Sequence, residues 1–252
     1  MGASVSGTIV LLRHGESRAN AAGIFTGISD APLTARGRGE ALQAARLLRA
    51  SGVTIHATFV SELIRARDTA AILAKDGVGP EVALRDWRLN ERNYGALTGL
   101  SKEEVLAEHG AELFREWRRS VHAAPPPLTA RQIQLLRRKK PFRDLPPAAV
   151  AATESLSEVI TRVGQFHRER VLPRLQVGVN VLIVAHGNSL RAYCAVLDDL
   201  TDTELEDLNV PTGQPLVYRL AADGTPRVRG GDYLDPITAR QAAATVARQG
   251  GT

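Results

Sequence analysis

Leu11-Leu12-Arg13-His14-Gly15-Glu16-Ser17 is the stretch from which the rest of the chain can be read. It closes a short apolar run, Ile9 to Leu12, of the kind that forms a buried strand of a parallel sheet. The Arg-His pair then falls at the carboxyl end of that strand, where open α/β sheets bind ligands. Gly15 allows a tight turn and a close backbone approach. The pattern returns far downstream in Val181-Leu182-Ile183-Val184-Ala185-His186-Gly187-Asn188, again an apolar run ending in His-Gly. If the two strands are sheet neighbours, His14 and His186 face one pocket. Of six histidines only these two end strand-like runs, so they read as a functional pair rather than as two unrelated core residues.

Between and beyond these strands the chain alternates strand and helix signals. Thr34 reads as the N-cap of a helix whose apolar face is Ala41, Ala44, Ala45 and Leu48. Ala57 to Val60 is a short strand, and Ser61 is expected to cap a helix presenting Leu63, Ala66, Ala70 and Leu73. Arg65 sits in the first turn of that helix, where the macrodipole disfavours a cation, a position that suits an anion ligand. Glu81 to Leu84 reads as a strand. Ser101 with Glu104, Ser155 with Glu158 and Thr201 with Glu204 are capping boxes. The first opens a helix broken near Gly110, followed by another ending in Trp117-Arg118-Arg119. A further helix starts at Asn188, Leu216 to Leu220 and Arg227 to Arg229 read as closing strands, and the tail from Asp235 to Thr252 is Ala-rich. Such alternation indicates an α/β fold with a mainly parallel central sheet. We expect a single domain over residues 1–252. Residues 93–153 form an insertion over the carboxyl edge, where a lid belongs.

The composition narrows the function. Net charge is +5, carried by 32 Lys and Arg, which suits an anionic substrate without implying nucleic acid. The basic segment from Thr129 to Pro147 reads as solvated loop charge. Cys194 is the only cysteine, which excludes an intramolecular disulfide and agrees with a reducing cytosol. No apolar run reaches membrane-spanning length, so the expected location is the cytoplasm, with no membrane partner. Met1 to Ser6 matches a myristoylation pattern but reads as a leader. There is no His-x-x-x-His, no Cys pair and no Asp-x-Asp, so no metal site is expected.

The remaining polar residues suggest phosphoryl chemistry. Arg13, Arg65, Arg118 and Arg119 are candidate phosphate ligands, because a guanidinium binds phosphate oxygens in pairs and keeps its charge. Asn20, Thr26 and the amide of Gly27 add neutral donors. A neutral imidazole whose Nδ1–H is held by a backbone carbonyl presents Nε2 as a nucleophile. A second imidazole opposite, protonated, would stabilise the equatorial oxygens. Glu91 is the candidate proton carrier, with a structural salt bridge to Arg92 as the alternative.

At these residues the chain resembles the cofactor-dependent, 2,3-bisphosphoglycerate-primed phosphoglycerate mutases of the histidine phosphatase superfamily. The match covers most of the chain: Leu12-Arg13-His14-Gly15-Glu16-Ser17, Phe25-Thr26-Gly27, Asn90-Glu91-Arg92 with Tyr94-Gly95, Trp117-Arg118-Arg119, Thr153-Glu154-Ser155-Leu156, Ala185-His186-Gly187-Asn188-Ser189 and Asn209-Val210-Pro211-Thr212-Gly213. The resemblance implies a three-layer fold, with His14 as phosphoryl carrier, Glu91 as general acid/base and His186 as the opposing electrostatic partner. Arg13, Asn20, Thr26, Gly27, Arg65, Tyr94, Lys102, Arg118, Arg119, Gly187 and Asn188 fall on phosphate- and substrate-binding positions. It implies 2,3-bisphosphoglycerate as primer, isomerisation of 3- and 2-phosphoglycerate in glycolysis and gluconeogenesis, and self-association. A histidine phosphatase, or a mutase-like paralogue for another small phosphorylated acid, is the alternative. Three places depart from the family's usual text. Ile28 stands where tryptophan is usual and Asn93 where histidine is common, and Arg131 to Asp144 lacks an acidic, Tyr-containing stretch.

Overall fold

The computed structural model describes residues 7–248; the Met1 to Ser6 pattern and the end of the tail, residues 249–252, lie outside the described residues. The chain runs β1 (Thr8–Arg13), α1 (Arg18–Ala21), α2 (Ala35–Ala50), β2 (Ala57–Val60), α3 (Ile64–Lys75), β3 (Leu84–Arg85), α4 (Lys102–Arg119), α5 (Ala130–Arg137), α6 (Leu156–Phe166) and α7 (Leu172–Leu175). It closes with β4 (Val181–Ala185), α8 (Gly187–Asp198), α9 (Asp202–Asp207), β5 (Leu216–Arg219), β6 (Asp232–Tyr233) and α10 (Pro236–Arg248).

The strands form one sheet in the order β3-β2-β4-β1-β5-β6. The pairs β3-β2, β2-β4 and β4-β1 are parallel, and β5 runs counter to both β1 and β6. Strand alternation divides the side chains between two apolar layers. Ile9, Leu11, Phe59, Val181 and Ile183 point to the side covered by Leu156, Val159, Val163 and Phe166 of α6 and by Leu190 and Tyr193 of α8. Val10, Leu12, Val60, Leu182 and Val184 point to the side covered by Ala41, Ala44 and Leu48 of α2 and by Ala66, Ala70 and Leu73 of α3. A strand buried on both faces must be apolar throughout, which is why β1 and β4 read as continuous runs rather than alternating ones.

Register fixes the two histidines relative to each other. Arg13 pairs with Ala185 across the β1-β4 ladder, so both chains leave the sheet at the same level. The His14 amide donates to the Ala185 carbonyl at 3.0 Å. Beyond β1 the chain turns directly against α2. A Cβ on Gly15 would lie 2.0 Å from the Gly37 carbonyl oxygen, so the turn needs glycine for close approach.

Thr34 caps α2, and the predicted boxes at Ser101, Ser155 and Thr201 form with both reciprocal bonds. Gly110 interrupts α4 with φ of 79°. Three local expectations are corrected. Ser61 does not cap α3: the N-cap is Leu63, without a side-chain bond, and Asp30 Oδ1 accepts from the Ile64 amide at 2.5 Å instead. The third strand is Leu84–Arg85, at the end of the expected Glu81 to Leu84 run. The closing strand is Asp232–Tyr233, not Arg227 to Arg229; the turn at Gly230 and Gly231, both at positive φ, delays it. The Ala-rich tail is helical as α10, and the basic segment contains α5, opened by a Thr129–Gln132 capping box.

Candidate active site

His14 and His186 stand side by side, ring centroids 4.9 Å apart at an interplanar angle of 61°, and both are buried. His14 Nδ1 lies 2.7 Å from the Gly15 carbonyl oxygen, which can only accept, so Nδ1 carries the proton and Nε2 keeps its lone pair. Arg65 Nε donates to that same Nε2 at 3.2 Å. Burial, followed by the charges of Arg65 and Arg13, pushes the His14 pKa well below 6.5, with the Gly15 carbonyl opposing. His14 is therefore a neutral imidazole with its nucleophilic nitrogen facing cations.

His186 is tied by the opposite edge. Its Nε2 lies 2.6 Å from Ser61 Oγ, while Nδ1 is buried without a hydrogen-bond partner. Burial and then Arg65, His14 and Arg13 push its pKa well below 6.5 too. The expectation of a protonated second imidazole is thus corrected: both rings are neutral in this surrounding. Ser61, read from sequence as a helix cap, orients His186 instead.

Arg65 is 1% exposed and held from both ends of its fork, with Nη2 donating to Gly27 O at 3.0 Å and Nη1 to Ser29 O at 2.8 Å. Burial lowers its pKa to about 10, with Glu91 opposing, so it stays cationic at neutral pH. Arg13 donates through Nη1 to Val210 O at 2.8 Å, while its buried Nε has no partner. A pocket lies beside these groups, walled by Arg13, Asn20, Thr26, Gly27, Glu91, Tyr94 and Lys102. Asn20 spends its Oδ1 on the Ser17 amide and hydroxyl. Lys102 is the first residue of α4, and burial, then repulsion from Arg118 and Arg13, lowers its ammonium to about 7 against the pull of Glu91.

Glu91 Oε1 accepts from the backbone amides of Arg92 at 2.8 Å and Asn188 at 3.1 Å. The alternative of a salt bridge to Arg92 is not formed; that guanidinium stacks over Tyr94 at 4.5 Å and donates to the Trp117 carbonyl. Asn188 Nδ2 donates to the Tyr94 hydroxyl at 3.1 Å, and Gly187 opens α8 directly after His186. Arg118 is fully buried over the rings of Phe25 and Phe114, with its pKa lowered by burial to about 10. Arg119 stands apart from the pocket walls: Nη1 donates to Asn209 Oδ1 and Nη2 to Leu208 O.

Two supporting residues escaped the sequence reading. Arg162 donates to Glu154 Oε1 at 2.8 Å, to the Arg88 carbonyl at 2.6 Å and to the Glu91 carbonyl at 3.3 Å. Glu154 Oε2 accepts from the Asn93 amide at 2.8 Å. This buried pair therefore grips the Glu91 loop on both sides. Its signal was present: Val159, Arg162, Val163 and Phe166 follow the i, i+3, i+4, i+7 spacing of a core stripe, with a charge where the stripe calls for an apolar group. The three departures of the sequence are also spatial neighbours. Ile28, Asn93 and residues 132–139 line one cavity behind the Gly27 loop.

Residues 9–229 match the model of the histidine phosphatase superfamily (branch 1), and the chain belongs to that superfamily. Within it, the chain is 45% identical over 96% of its length to a curated relative from Thermobifida fusca (strain YX), covering 99% of that protein, named 2,3-bisphosphoglycerate-dependent phosphoglycerate mutase. It is likewise 45% identical over 97% of its length to a protein of the same name from Corynebacterium diphtheriae, 98% of which is covered. Similar solved structures include the α-ribazole phosphatase of Shigella flexneri, with TM-score 0.64, 25% identity and coverage of 89% of this chain and 96% of that one. Bacillus stearothermophilus YhfR, with TM-score 0.68 and 23% identity over 91% of this chain and 99% of that one, shares the fold.

Proposed function

We propose that this chain interconverts 3-phosphoglycerate and 2-phosphoglycerate through a phosphohistidine at His14 Nε2. The observation that carries this reading is the locked tautomer of His14. Its lone pair faces Arg65, beside a pocket lined by further cations, and relatives at 45% identity bear the mutase name. The residues fit a bisphosphorylated primer: the buried Arg13 Nε is a charged donor without a partner, which calls for an anion. Arg13, Arg65, Lys102 and Arg118 would hold its phosphates. When bound, 2,3-bisphosphoglycerate supplies the phosphoryl group that loads His14.

In transfer to the substrate, the N–P bond at Nε2 breaks as the P–O bond forms. Glu91 takes the proton from the attacking hydroxyl and returns one to the leaving oxygen in the reverse direction. The Nδ1–H to Gly15 O bond steadies the positive charge of the phosphorylated ring, and Arg65 moves from nitrogen to phosphoryl oxygen. His186, held by Ser61 through Nε2, stands beside the transferred group as its polar neighbour. Residues 93–153 and the tail are assigned as lids that keep water from the phosphohistidine. In support, Ala242, Thr245 and Val246 of α10 wall a cleft that also contains Arg13, Asn20 and Lys102. No described helix is long and apolar enough to cross a membrane, which is compatible with work in the cytoplasm.

A coupled assay with 3-phosphoglycerate, with and without 2,3-bisphosphoglycerate, tests the reading. Bisphosphate-stimulated formation of 2-phosphoglycerate with little free phosphate is expected. Phosphate release without isomerisation would favour a phosphatase instead, a reading encouraged by the phosphatases among the similar structures.

A further inference from the structure

A second cavity of about 250 Å³ lies behind the Gly27–Ser29 loop. It shares no wall residue with the pocket around Arg13 and Lys102. Ile28, Leu128, Leu135 and Leu136 give it an apolar bed. Leu135 is 47% exposed, an unusual place for a large apolar side chain on an otherwise polar helix face. No carboxylate lines the cavity, and its one charged wall residue is Lys139, which makes no ion pair among the described residues. Arg138 and Lys140 beside it have the same sign. The buried Thr98 hydroxyl, also in the wall, lacks a hydrogen-bond partner.

We propose that this cavity binds a small amphipathic anion: an aliphatic or single-ring body carrying one carboxylate or sulfonate group. The body rests on the leucines and Ile28, and the head meets Lys139. A cation at the edge of an apolar bed discriminates in favour of such a ligand, because the body loses water contact while the head keeps a charge-assisted partner. The occupant touches Ile28 and Ser29, within the loop whose Gly27 and Ser29 carbonyls fix the Arg65 guanidinium.

The experiment is isothermal titration of the full chain with octanoate as probe and octylamine as its cationic counterpart. Octanoate is expected to bind saturably and octylamine much more weakly. Leu135→Asp and Lys139→Glu, both at exposed positions of α5 and its C-terminal end, should each weaken octanoate by about tenfold or more, with unchanged circular dichroism. His14→Ala and excess inorganic phosphate should leave octanoate binding as it was. Absence of saturable binding, octanoate affinity unchanged from the native chain in both variants, or displacement by phosphate would each overturn the proposal. No turnover enters the measurement, so its outcome is independent of whether the chain is a mutase.

Discussion

The two His-Gly strand ends share a sequence pattern and a level in the sheet, yet their rings are tied by opposite nitrogens. At the end of β1, a carbonyl holds His14 by Nδ1 and frees Nε2; at the end of β4, a hydroxyl holds His186 by Nε2 and leaves Nδ1. The surroundings explain the division. The β1 exit turns sharply because Gly15 and Gly37 let α2 pack on it, which brings the ring back over its own next carbonyl. The β4 exit runs straight into α8, so its ring reaches across to Ser61 after β2. One motif therefore yields two rings held by opposite nitrogens, which matches the proposed division of labour between them. The difference lies in what the following backbone does.

The comparison is broken most severely at His14. His14→Ala should abolish transfer of label from a phosphoryl donor and reduce turnover by roughly 10⁴-fold or more, measured by steady-state rate and acid-labile phosphate. His186→Ala should retain some labelling and lose roughly 10²- to 10³-fold in rate, since it removes a polar neighbour of the transferred group and no nucleophile. Equal losses would mean that the rings do not divide the work.

A pH series sharpens the picture next. Because burial and neighbouring cations hold both imidazoles well below 6.5, the acid limb of kcat/KM should lie below that value. The same shift takes stability away as pH falls through and below 6.5, because the unfolded chain takes up protons that the folded rings refuse. Lys102, lowered to about 7, should lose its charge above that pH, so KM for the phosphorylated substrate should rise there. Lys102→Met should flatten this alkaline rise. The smallest effect is expected from Ser61→Ala, about 1 kcal/mol in kcat/KM from a lost orienting bond, with labelling of His14 intact.

Much of this was legible because backbone and chemistry used the same residues. Apolar runs ending in His-Gly state both where a strand stops and what stands there, and the capping boxes state helix starts through local bonds alone. The missed features depend on long-range contacts. Ser61 sits two residues before the actual N-cap of α3, so local propensity matched a cap while tertiary structure gave the hydroxyl to a ring 125 residues away. Arg162 looks like any helical arginine until the loops at Arg88 and Glu91 are folded beneath it. The neutral state of His186 likewise required burial and four neighbouring charged or ring groups that no single stretch contains.

The crowd of cations around Glu91 has a consequence for endurance as well as for chemistry. Arg13, Arg65, Lys102 and Arg118 all have their pKa values pulled down, chiefly by burial, which means that holding them charged works against the fold. An anion among them relieves that opposition, and a ligand at roughly 100 times its Kd adds about 2.7 kcal/mol to stability. Melting temperature should therefore climb with phosphate concentration, and the lifetime of the protein would follow the supply of the compounds it binds.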